Sequence, residues 1–340
     1  MFLYLQRLTM GAAIACCLLT TAANSQEFFA GRTVTLVVGY QVGSGYDTVA
    51  RFVARHLPRF IPGTPTVIVR NMPGAGTLTA ANYVANSAPK DGTTIALIAR
   101  GMLIEPLLGG QSVRFDPLSL NWIGSTSHET SVAAVRSDTG IKSLDDAKRR
   151  EVLVAGAGPG TDGNVFPTAL NQLFGTKFKI VNGYRSGAEL LLAVERKEAD
   201  GRGAWSWASF RVEAIGMLQR GELTLLVQYG STKAPEIPDV PLVFDLVKTE
   251  EQKQMLDLLL AGLKMAWPVF APAEVPQENV ATLRKAFMAM LQDPETWADA
   301  KRIGVDIAPV PGEVISENLK QIYATPPALV EKVRQLTGKR

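Results

Sequence analysis

Three times along the chain, a short apolar run leads into a glycine-rich turn and then into a stretch with helical spacing of apolar residues. The turns are Gly43-Ser44-Gly45, Gly74-Ala75-Gly76 and Gly158-Pro159-Gly160. This repetition is typical of a parallel sheet, because parallel neighbours must be joined by a crossover that is usually helical. The 340 residues are enough for about two domains. We therefore predict an α/β protein of two domains, each a mostly parallel sheet flanked by helices.

The predicted strands are short apolar runs that are rich in β-branched residues. They lie at 33–38, 67–69, 94–98, 122–124, 132–135, 152–155, 178–181 and 223–228. Proline-rich segments at 235–241 and 268–276 are predicted loops. Helices are predicted to close the chain at 280–291, 295–303 and 313–323.

The glycine-rich turns are candidate binding loops for an anion. In an α/β fold such turns lie at the carboxyl ends of the strands, where ligands bind. The first N–H groups of each helix carry a partial positive charge, and glycine lets the backbone approach a carboxylate or phosphate closely. One such turn is explained by glycine's tolerance of left-handed backbone, but three in one chain favour a ligand site. Arg100, after the third strand, and Arg185, in a later loop, are candidate partners for the charge of the ligand.

Several other functions lack the residues that they need. Thr48 and Thr79 stand where a dinucleotide-binding G-x-G-x-x-G turn has its third glycine, and no G-x-S-x-G nucleophile elbow occurs. The two histidines, His56 and His128, have no second ligand at metal-binding spacing. The net charge is +3 without basic blocks, so no nucleic-acid partner is predicted. We expect no catalytic residue, no metal and no cofactor.

Trp205 and Trp207 lie on one side of the chain if the segment is extended. Their indoles either pack in the core or form a wall of the ligand site, and we include Trp205 among the candidate ligand contacts. Asp47 begins the helix after the first turn, where its carboxylate is predicted to cap free N–H groups and shape the loop. His56, beside Arg55 at the end of that helix, is predicted to be solvated.

The first 25 residues are predicted to be a secretory signal peptide. Arg7 is followed by a short apolar stretch and then by small residues, the order of a basic, an apolar and a cleavage region. Cleavage after Ala23 and cleavage after Ser25 both fit. Both cysteines, Cys16 and Cys17, lie in this segment, and the lipoprotein box before Cys16 is poor. We therefore expect a periplasmic protein whose mature chain has no disulfide.

Several segments resemble the motifs of one family. Asn71-Met72-Pro73-Gly74-Ala75-Gly76 is similar to its N-x-P-G-A-G segment, and Pro89-Lys90-Asp91-Gly92-Thr93-Thr94 to its P-x-D-G-T-T. Ile237-Pro238-Asp239-Val240-Pro241 matches its L-P-D-V-P, and the segment from Gly183 to Glu189 resembles its Y-x-G segment. The chain thus resembles the Bug-type extracytoplasmic receptors, the solute-binding subunits of tripartite tricarboxylate transporters.

This resemblance implies a type II periplasmic binding protein, also called a Venus flytrap, in which two α/β domains joined by a hinge close on an organic anion. Domain I would comprise 26–129 plus 230–340, and domain II would be the insert 130–229. The implied partners are a small organic anion, usually a carboxylate, and the membrane permease subunits of a tripartite transporter. We expect a monomer that performs no chemistry on its ligand.

The resemblance also implies where the ligand binds. By position, the ligand-binding residues would be Gly43, Ser44, Gly45, Tyr46, Gly74, Ala75, Gly76, Thr77, Gly158, Gly160, Thr161, Asp162, Tyr184, Arg185, Ser186 and Gly187. Two of them depart from the family, in which a neutral residue is common at the positions of Arg185 and Asp162. An acid at an anion site is unfavourable by like-charge repulsion, unless Asp162 caps its own helix.

Two other functions stay open from the sequence. A binding protein of this kind can report its ligand to a membrane kinase instead of delivering it to a permease. A secreted hydrolase that uses His128 is the enzymatic alternative, although its neighbours Ser127 and Glu129 would point to the opposite face of a strand.

Overall fold

The computed structural model describes residues 28–110, 112–158, 161–184 and 187–337. The predicted signal peptide lies outside these ranges, as do three of the predicted site residues: Gly160, Arg185 and Ser186. Within the described ranges, no helix combines the length and the apolar character needed to cross a membrane.

The described residues form strands and helices that alternate over most of the chain. The strands are β1 (Thr33–Val38), β2 (Thr66–Asn71), β3 (Thr94–Leu97), β4 (Asn121–Ser125), β5 (Ser131–Arg136), β6 (Val152–Gly156), β7 (Phe178–Asn182), β8 (Gly201–Ser206), β9 (Leu223–Tyr229), β10 (Pro268–Ala271) and β11 (Val310–Pro311). The α-helices are α1 (Gly45–His56), α2 (Leu78–Asn86), α3 (Leu144–Arg149), α4 (Asp162–Phe174), α5 (Gly187–Glu195), α6 (Trp207–Glu213), α7 (Ile215–Gln219), α8 (Glu250–Leu259), α9 (Gln277–Met290), α10 (Pro294–Ile303), α11 (Gly312–Tyr323) and α12 (Pro327–Thr337).

The chain divides into two compact units. The first unit contains the described residues up to Met102, together with Ser112–Ser127 and Trp267–Glu317. The second contains residues 103–110, His128–Ala266 and the described residues from Asn318 onward. The predicted domain II lies within the second unit. Four segments that were predicted in domain I also belong to the second unit: residues 103–110, 128–129, 230–266 and 318–337. Within this unit, α12 packs against α8 and α4.

The sheet of the first unit has the strand order β11-β4-β10-β3-β1-β2. β1 pairs in parallel with β2 and β3, so that Val38 lies beside Asn71 and Leu97 where these strands end. β10 runs antiparallel to β3 and β4, and β11 runs antiparallel to β4. The parallel strands are those that α1 and α2 connect as crossovers. Because the other strands enter without such a crossover, the sheet is mixed, with β10 and β11 antiparallel to their neighbours.

The sheet of the second unit has the strand order β7-β6-β8-β5-β9 and is mixed for the same reason. β6 pairs in parallel with β7 and β8, which α4 and α5 connect as crossovers. β5 runs antiparallel to β8 and β9. Gly156 and Asn182 lie side by side where β6 and β7 end. The two glycine-rich loops of the first unit, and Gly158 of the third, therefore follow the carboxyl ends of parallel strands, as the sequence predicts.

Each unit has its own hydrophobic core. In the first, Phe52 of α1 packs with Leu36 of β1 and Phe287 of α9, and all three are fully buried. In the second, Trp205 of β8 packs against Phe210 of α6. The buried face of α1 follows the helical spacing of its apolar residues, and it holds the amino end of α1 at the carboxyl end of β1.

Candidate functional site

The first glycine-rich loop is held by the helix that follows it. Gly43 has a φ of +83°, in the left-handed region that favours glycine. Ser44 is the N-cap of α1, and its Oγ accepts a hydrogen bond from the Asp47 N–H at 3.2 Å. The Gly43 N–H donates to Oδ2 of Asp47 at 2.9 Å. This confirms the prediction that Asp47 shapes the loop.

Asp47 also joins this loop to the end of β2. Its side chain is 3% exposed; Oδ1 accepts a hydrogen bond from Asn71 Nδ2 at 2.8 Å, and Oδ2 accepts one from Arg51 Nε at 2.9 Å. Burial would raise the pKa of Asp47, but the hydrogen bonds from Arg51, Gly43 and Asn71 together outweigh burial and lower the pKa to about 2. Asp47 is therefore ionised at neutral pH, and Arg51 compensates its charge.

The second loop, between β2 and α2, has an unusual backbone. Gly74 has a φ of +148°, while Ala75 and Thr77 have positive φ values of +46° and +84° without being glycine. For the β-branched Thr77 this conformation is strained, and such strain persists only where the surroundings fix it. The buried Thr77 hydroxyl accepts a hydrogen bond from the Ala99 N–H at 3.1 Å, which fixes the loop to the end of β3. Strain of this kind concentrates at ligand-binding loops.

The second loop also lies directly against the end of β1. A Cβ atom added to Gly39, the residue after β1, would stand 2.3 Å from Cβ of Thr77 and 2.9 Å from its Cα. Cβ atoms do not approach other carbon atoms so closely, so only glycine fits at position 39. The second loop is therefore packed against the segment that leads into the first loop.

Three half-buried aromatic side chains flank the first loop, and we call them the aromatic wall: Tyr40, Tyr46 and Trp267. The rings of Tyr40 and Tyr46 are stacked, with centroids 4.4 Å apart and planes at 20°. The Trp267 ring lies 4.6 Å from that of Tyr46. Trp267 reaches this edge because β10, which follows it, runs antiparallel to β3.

Arg100 lies at the same edge, three residues after the end of β3. Its backbone N–H donates a hydrogen bond to Oη of Tyr46 at 3.2 Å. Burial raises the pKa of the Tyr40 hydroxyl, and the nearby Arg100 guanidinium offsets this rise only in part. A neutral phenol and a guanidinium cation therefore lie close together beside the first loop.

In the second unit, the loop after β6 is held by Asn164 of α4. Gly158 has a φ of +125°, and its N–H donates to Oδ1 of Asn164 at 3.3 Å. Thr161, the N-cap residue of α4, donates from its hydroxyl to the same oxygen at 3.2 Å. Asn164 Nδ2 in turn donates to Oδ1 of Asn182, the last residue of β7, at 2.9 Å. A Cβ at Gly156 would stand 2.4 Å from Asn164 Oδ1, so glycine is required there.

The other predicted residues of the second unit lie near acidic groups. Asp162 is the first residue of α4, where a carboxylate interacts favourably with the helix dipole. The hydroxyl of Tyr184 donates to Oε2 of Glu198 at 3.3 Å, and burial together with Glu198 raises the pKa of Tyr184. Gly187 begins α5, and a Cβ atom there would lie 3.2 Å from Oε1 of Glu213. Among the described residues, three carboxylates therefore lie at or near this edge: Asp162, Glu198 and Glu213.

Trp205 lies in the core of the second unit. It is 1% exposed, and its Nε1 donates to Oε2 of Glu213 at 3.0 Å. The Arg202 guanidinium stacks on its indole, with Cζ 4.2 Å from the ring centroid. β8 ends at Ser206 and Trp207 begins α6, so the extended alternation of the two indoles does not continue. The structure thus favours packing over the predicted ligand contact.

The two histidines differ in their surroundings. His128 is exposed, whereas His56 is buried and its Nε2 lies 2.7 Å from Oδ2 of Asp299, so the prediction of a solvated His56 was wrong. The reason is α10, which brings Asp299 against the end of α1. Among the described residues, no group of three or more His, Cys, Asp and Glu side chains is arranged to hold a metal ion.

The structure brings the predicted residues together within each unit. In the first, Gly43–Tyr46, Gly74–Thr77 and Arg100 follow β1, β2 and β3, whose carboxyl ends share one edge of the sheet. In the second, Gly158, Thr161, Asp162, Tyr184 and Gly187 follow β6 and β7. Sequence reasoning missed four residues of these edges: Tyr40, Trp267, Asn164 and Asn182. Asn164 could have been predicted, because it is a polar residue in the first turn of the helix after a glycine loop, like Asp47.

The sequence of residues 49–310 matches the TctC family, which is described as the tripartite tricarboxylate transporter family receptor. This match covers well over half of the chain. The chain belongs to the TctC family. The resemblance of its motifs to Bug-type receptors is thereby confirmed, and the family and fold of this TctC protein are those of solute-binding receptors.

Solved structures of similar proteins agree with the fold. A TctC solute-binding protein from Polaromonas has a TM-score of 0.70 and 20% identity, covering 88% of this chain and 98% of that chain. MatC from Rhodopseudomonas palustris, solved with malate, has a TM-score of 0.60 and 21% identity, covering 90% and 99%. An R. palustris protein solved with adipate has a TM-score of 0.62 and 20% identity, covering 90% and 97%. These similarities confirm the two-domain α/β fold of periplasmic binding proteins.

Proposed function

We propose that this TctC protein is a periplasmic receptor that binds a small organic anion, a carboxylate, and delivers it to the membrane permease of a tripartite transporter. Its family supports this proposal, as do the malate and adipate bound by two proteins of similar fold. The predicted signal peptide supports export to the periplasm. We further propose that the receptor acts as a monomer and that it needs no cofactor.

The observation that carries this proposal is the edge of the first unit at which Arg100 lies beside two fixed glycine loops. The first loop is bound to Asp47, and the second is bound to Ala99 through Thr77. Loops held in this way present their backbone to a ligand at little entropic cost, because they are already ordered. A guanidinium cation next to such loops is suited to a carboxylate, which accepts charge-assisted hydrogen bonds.

The titratable groups at this edge favour binding over catalysis. Asp47 has a pKa of about 2 and is paired with Arg51, so it is a poor base near neutral pH. The pKa of Tyr40 is raised from its usual value near 10, so its hydroxyl stays protonated. A general acid or base works best with a pKa near the operating pH, and both of these groups are shifted away from it.

Calorimetry on the purified mature protein tests carboxylate binding directly. We expect malate, adipate or another small carboxylate to bind, and the corresponding neutral amide to bind at least tenfold more weakly. Arg100→Ala should weaken carboxylate binding by about ten- to a hundredfold, the equivalent of one charge-assisted contact. Arg114→Ala, which removes an exposed arginine of the same unit, is the matched control and should bind like the parent. Equal affinity for acid and amide would contradict the proposal.

Delivery to a permease is tested in the source cells. Deletion of the gene should abolish uptake of the bound carboxylate, and expression of the parent chain should restore uptake. Expression of the Arg100→Ala variant should restore it only at high ligand concentration. Unchanged uptake together with a lost transcriptional response to the ligand would instead show a sensing role.

A further inference from the structure

The aromatic wall borders the part of the first unit at which the proposed carboxylate would bind. Tyr46 lies between Tyr40 and Trp267, with ring centroids at 4.4 Å and 4.6 Å from its own. The far edge of the Trp267 indole reaches the first glycine loop, since a Cβ atom at Gly45 would lie 3.7 Å from its Cη2. Three aromatic rings thus adjoin this loop, in which a Cβ atom added to Gly43 would meet no other atom within 4 Å.

Arg100, which carries the positive charge, also lies close to the hydroxyl groups of Tyr46 and Tyr40. The hydroxyl of Tyr46 accepts its hydrogen bond from the backbone N–H of Arg100 at 3.2 Å. Tyr40 is stacked almost parallel to Tyr46, and the Arg100 guanidinium is close enough to stabilise the charged form of its hydroxyl. Arg100 is therefore close to the hydroxyl ends of Tyr46 and Tyr40, and the Trp267 ring packs against that of Tyr46.

We propose that this arrangement selects a carboxylate whose carbon skeleton is a flat aromatic ring. The carboxylate lies at Arg100 and the ring lies against the aromatic wall, between Arg100 and the first loop. This inference rests on the proposed function, because it names the chemical class of the anion at the same site. A saturated ring of equal size has the same charge but lacks the flat face that stacks on Tyr40 or Trp267.

The size of the preference follows from ring stacking. An aromatic pair in offset or edge-to-face geometry contributes beyond the area that it buries, by an amount equivalent to about two- to tenfold in affinity. Contact with two rings of the wall gives an expected preference of about tenfold for the aromatic acid.

The decisive experiment compares matched pairs of acids by calorimetry. Benzoate is paired with cyclohexanecarboxylate, and benzene-1,4-dicarboxylate with trans-cyclohexane-1,4-dicarboxylate, so that each pair keeps its carboxylates and loses only aromaticity. In at least one pair we expect the aromatic acid to bind about tenfold more tightly. Adipate and malate are included as open-chain acids. The aromatic acid should also quench tryptophan fluorescence, and this quenching should be lost in Trp267→Leu.

Single substitutions test the contributions of the aromatic wall and of Arg100 separately. Trp267→Leu and, independently, Tyr40→Leu should each lower the preference from about tenfold to about threefold, because each variant removes one of the two rings that the ligand contacts. Arg100→Ala should weaken both acids of a pair equally and keep the preference. Trp297→Leu, which removes a half-exposed tryptophan of α10, is the matched control and should change neither. Two wall variants are used so that one misfolded variant does not prevent a decision.

The outcomes distinguish this inference from the function on which it rests. If saturated or open-chain acids bind as tightly as the aromatic ones, the aromatic preference is overturned and carboxylate binding stands. If Trp267→Leu and Tyr40→Leu both fold and keep the preference, the wall does not cause it, and the inference is likewise overturned. If no carboxylate of either kind binds, the proposed function fails and the inference fails with it.

Discussion

The first loop of the first unit and the loop after β6 of the second unit are held by the same pattern of hydrogen bonds but differ in charge. In each, a glycine N–H donates to a side chain in the helix that follows, Asp47 in one and Asn164 in the other. That side chain also binds an asparagine at the end of the neighbouring parallel strand, Asn71 or Asn182.

The difference between the loops shows what this kind of loop requires. Asp47 only accepts hydrogen bonds, so it takes them from several donors, and Arg51 balances its charge. Asn164 accepts with its oxygen and donates with its nitrogen, so it needs no counter-ion. An acceptor for the glycine N–H is therefore common to both loops, whereas the charge is particular to the first.

Replacement of Asp47 should have the largest effect on the free energy of unfolding. Asp47→Ala leaves the Gly43 N–H and the Asn71 amide without their acceptor, and we expect it to lower the free energy of unfolding by about 3 kcal/mol. Urea denaturation followed by circular dichroism measures this loss. Thr48→Ala, at the exposed neighbouring position, is the control and should cost about 0.5 kcal/mol or less. Similar losses for the two variants would refute the structural role of Asp47.

A substitution in the second unit tests the corresponding loop after β6, which the uncharged Asn164 holds. A Cβ at Gly156 would lie 2.4 Å from Asn164 Oδ1 and 2.8 Å from Asn182 Oδ1, so Gly156→Ala must displace this pair. We expect a loss of about 2 kcal/mol in the free energy of unfolding. Gly163→Ala, in α4, meets no atom closer than 3.9 Å and should instead stabilise slightly through its helix propensity. If Gly156→Ala leaves the free energy of unfolding unchanged, the hydrogen-bonded pair of Asn164 and Asn182 tolerates displacement.

The two loops should also differ in their response to pH. The pKa of Asp47 is lowered to about 2 in the folded protein, so this carboxylate stabilises the fold at pH values above its ordinary pKa, and that contribution declines as the pH falls toward 2. Asp47→Asn should therefore destabilise the protein by about half as much at pH 3 as at pH 7. Urea midpoints at both pH values measure this change. Asn164→Ala supplies the comparison, since its cost should be the same at both pH values.

The smallest expected effect concerns the negative charge at the amino end of α4. Asp162→Asn removes a carboxylate near the Gly158 loop, and the affinity for a carboxylate ligand should stay the same or rise by up to about threefold. Calorimetry with the ligand found for the parent measures this. Asp145→Asn, in the first turn of α3, is the matched control and should leave the affinity unchanged. A clear loss of affinity in Asp162→Asn would indicate a ligand with a cationic or hydrogen-donating group.

The sequence predicted best what local chemistry determines. The first two glycine loops, the strands that precede them and the part of Asp47 in shaping the first loop depend on residues within a few positions of each other, and the structure has them where predicted. The helix cap itself is Ser44 and not Asp47. β10 was missed because a short apolar run between prolines is typical of a loop. Its strand partners, β3 and β4, are far away in the sequence. Trp267 was missed with it, because only the antiparallel pairing of β10 brings that residue to the edge.

Other errors have the same origin in distant contacts. β8 contains two glycines and Arg202, a composition that disfavours a strand, but it is enclosed between β6 and β5. His56 was predicted to be solvated because its own helix is basic at that end, while the residue that buries and binds it, Asp299, is 243 positions away. Neither outcome follows from the neighbouring residues alone.

The contact between Gly39 and Thr77 has a consequence for the evolution and redesign of ligand choice. Because a Cβ atom at position 39 would overlap with Thr77, position 39 cannot vary alone. Any side chain there forces Thr77 to move, and a shift of the second loop removes the need for glycine. A mutant library that randomises only 74–77 therefore explores loops that still fit against an unchanged position 39. Larger changes of loop shape become accessible only when both positions are varied in the same library.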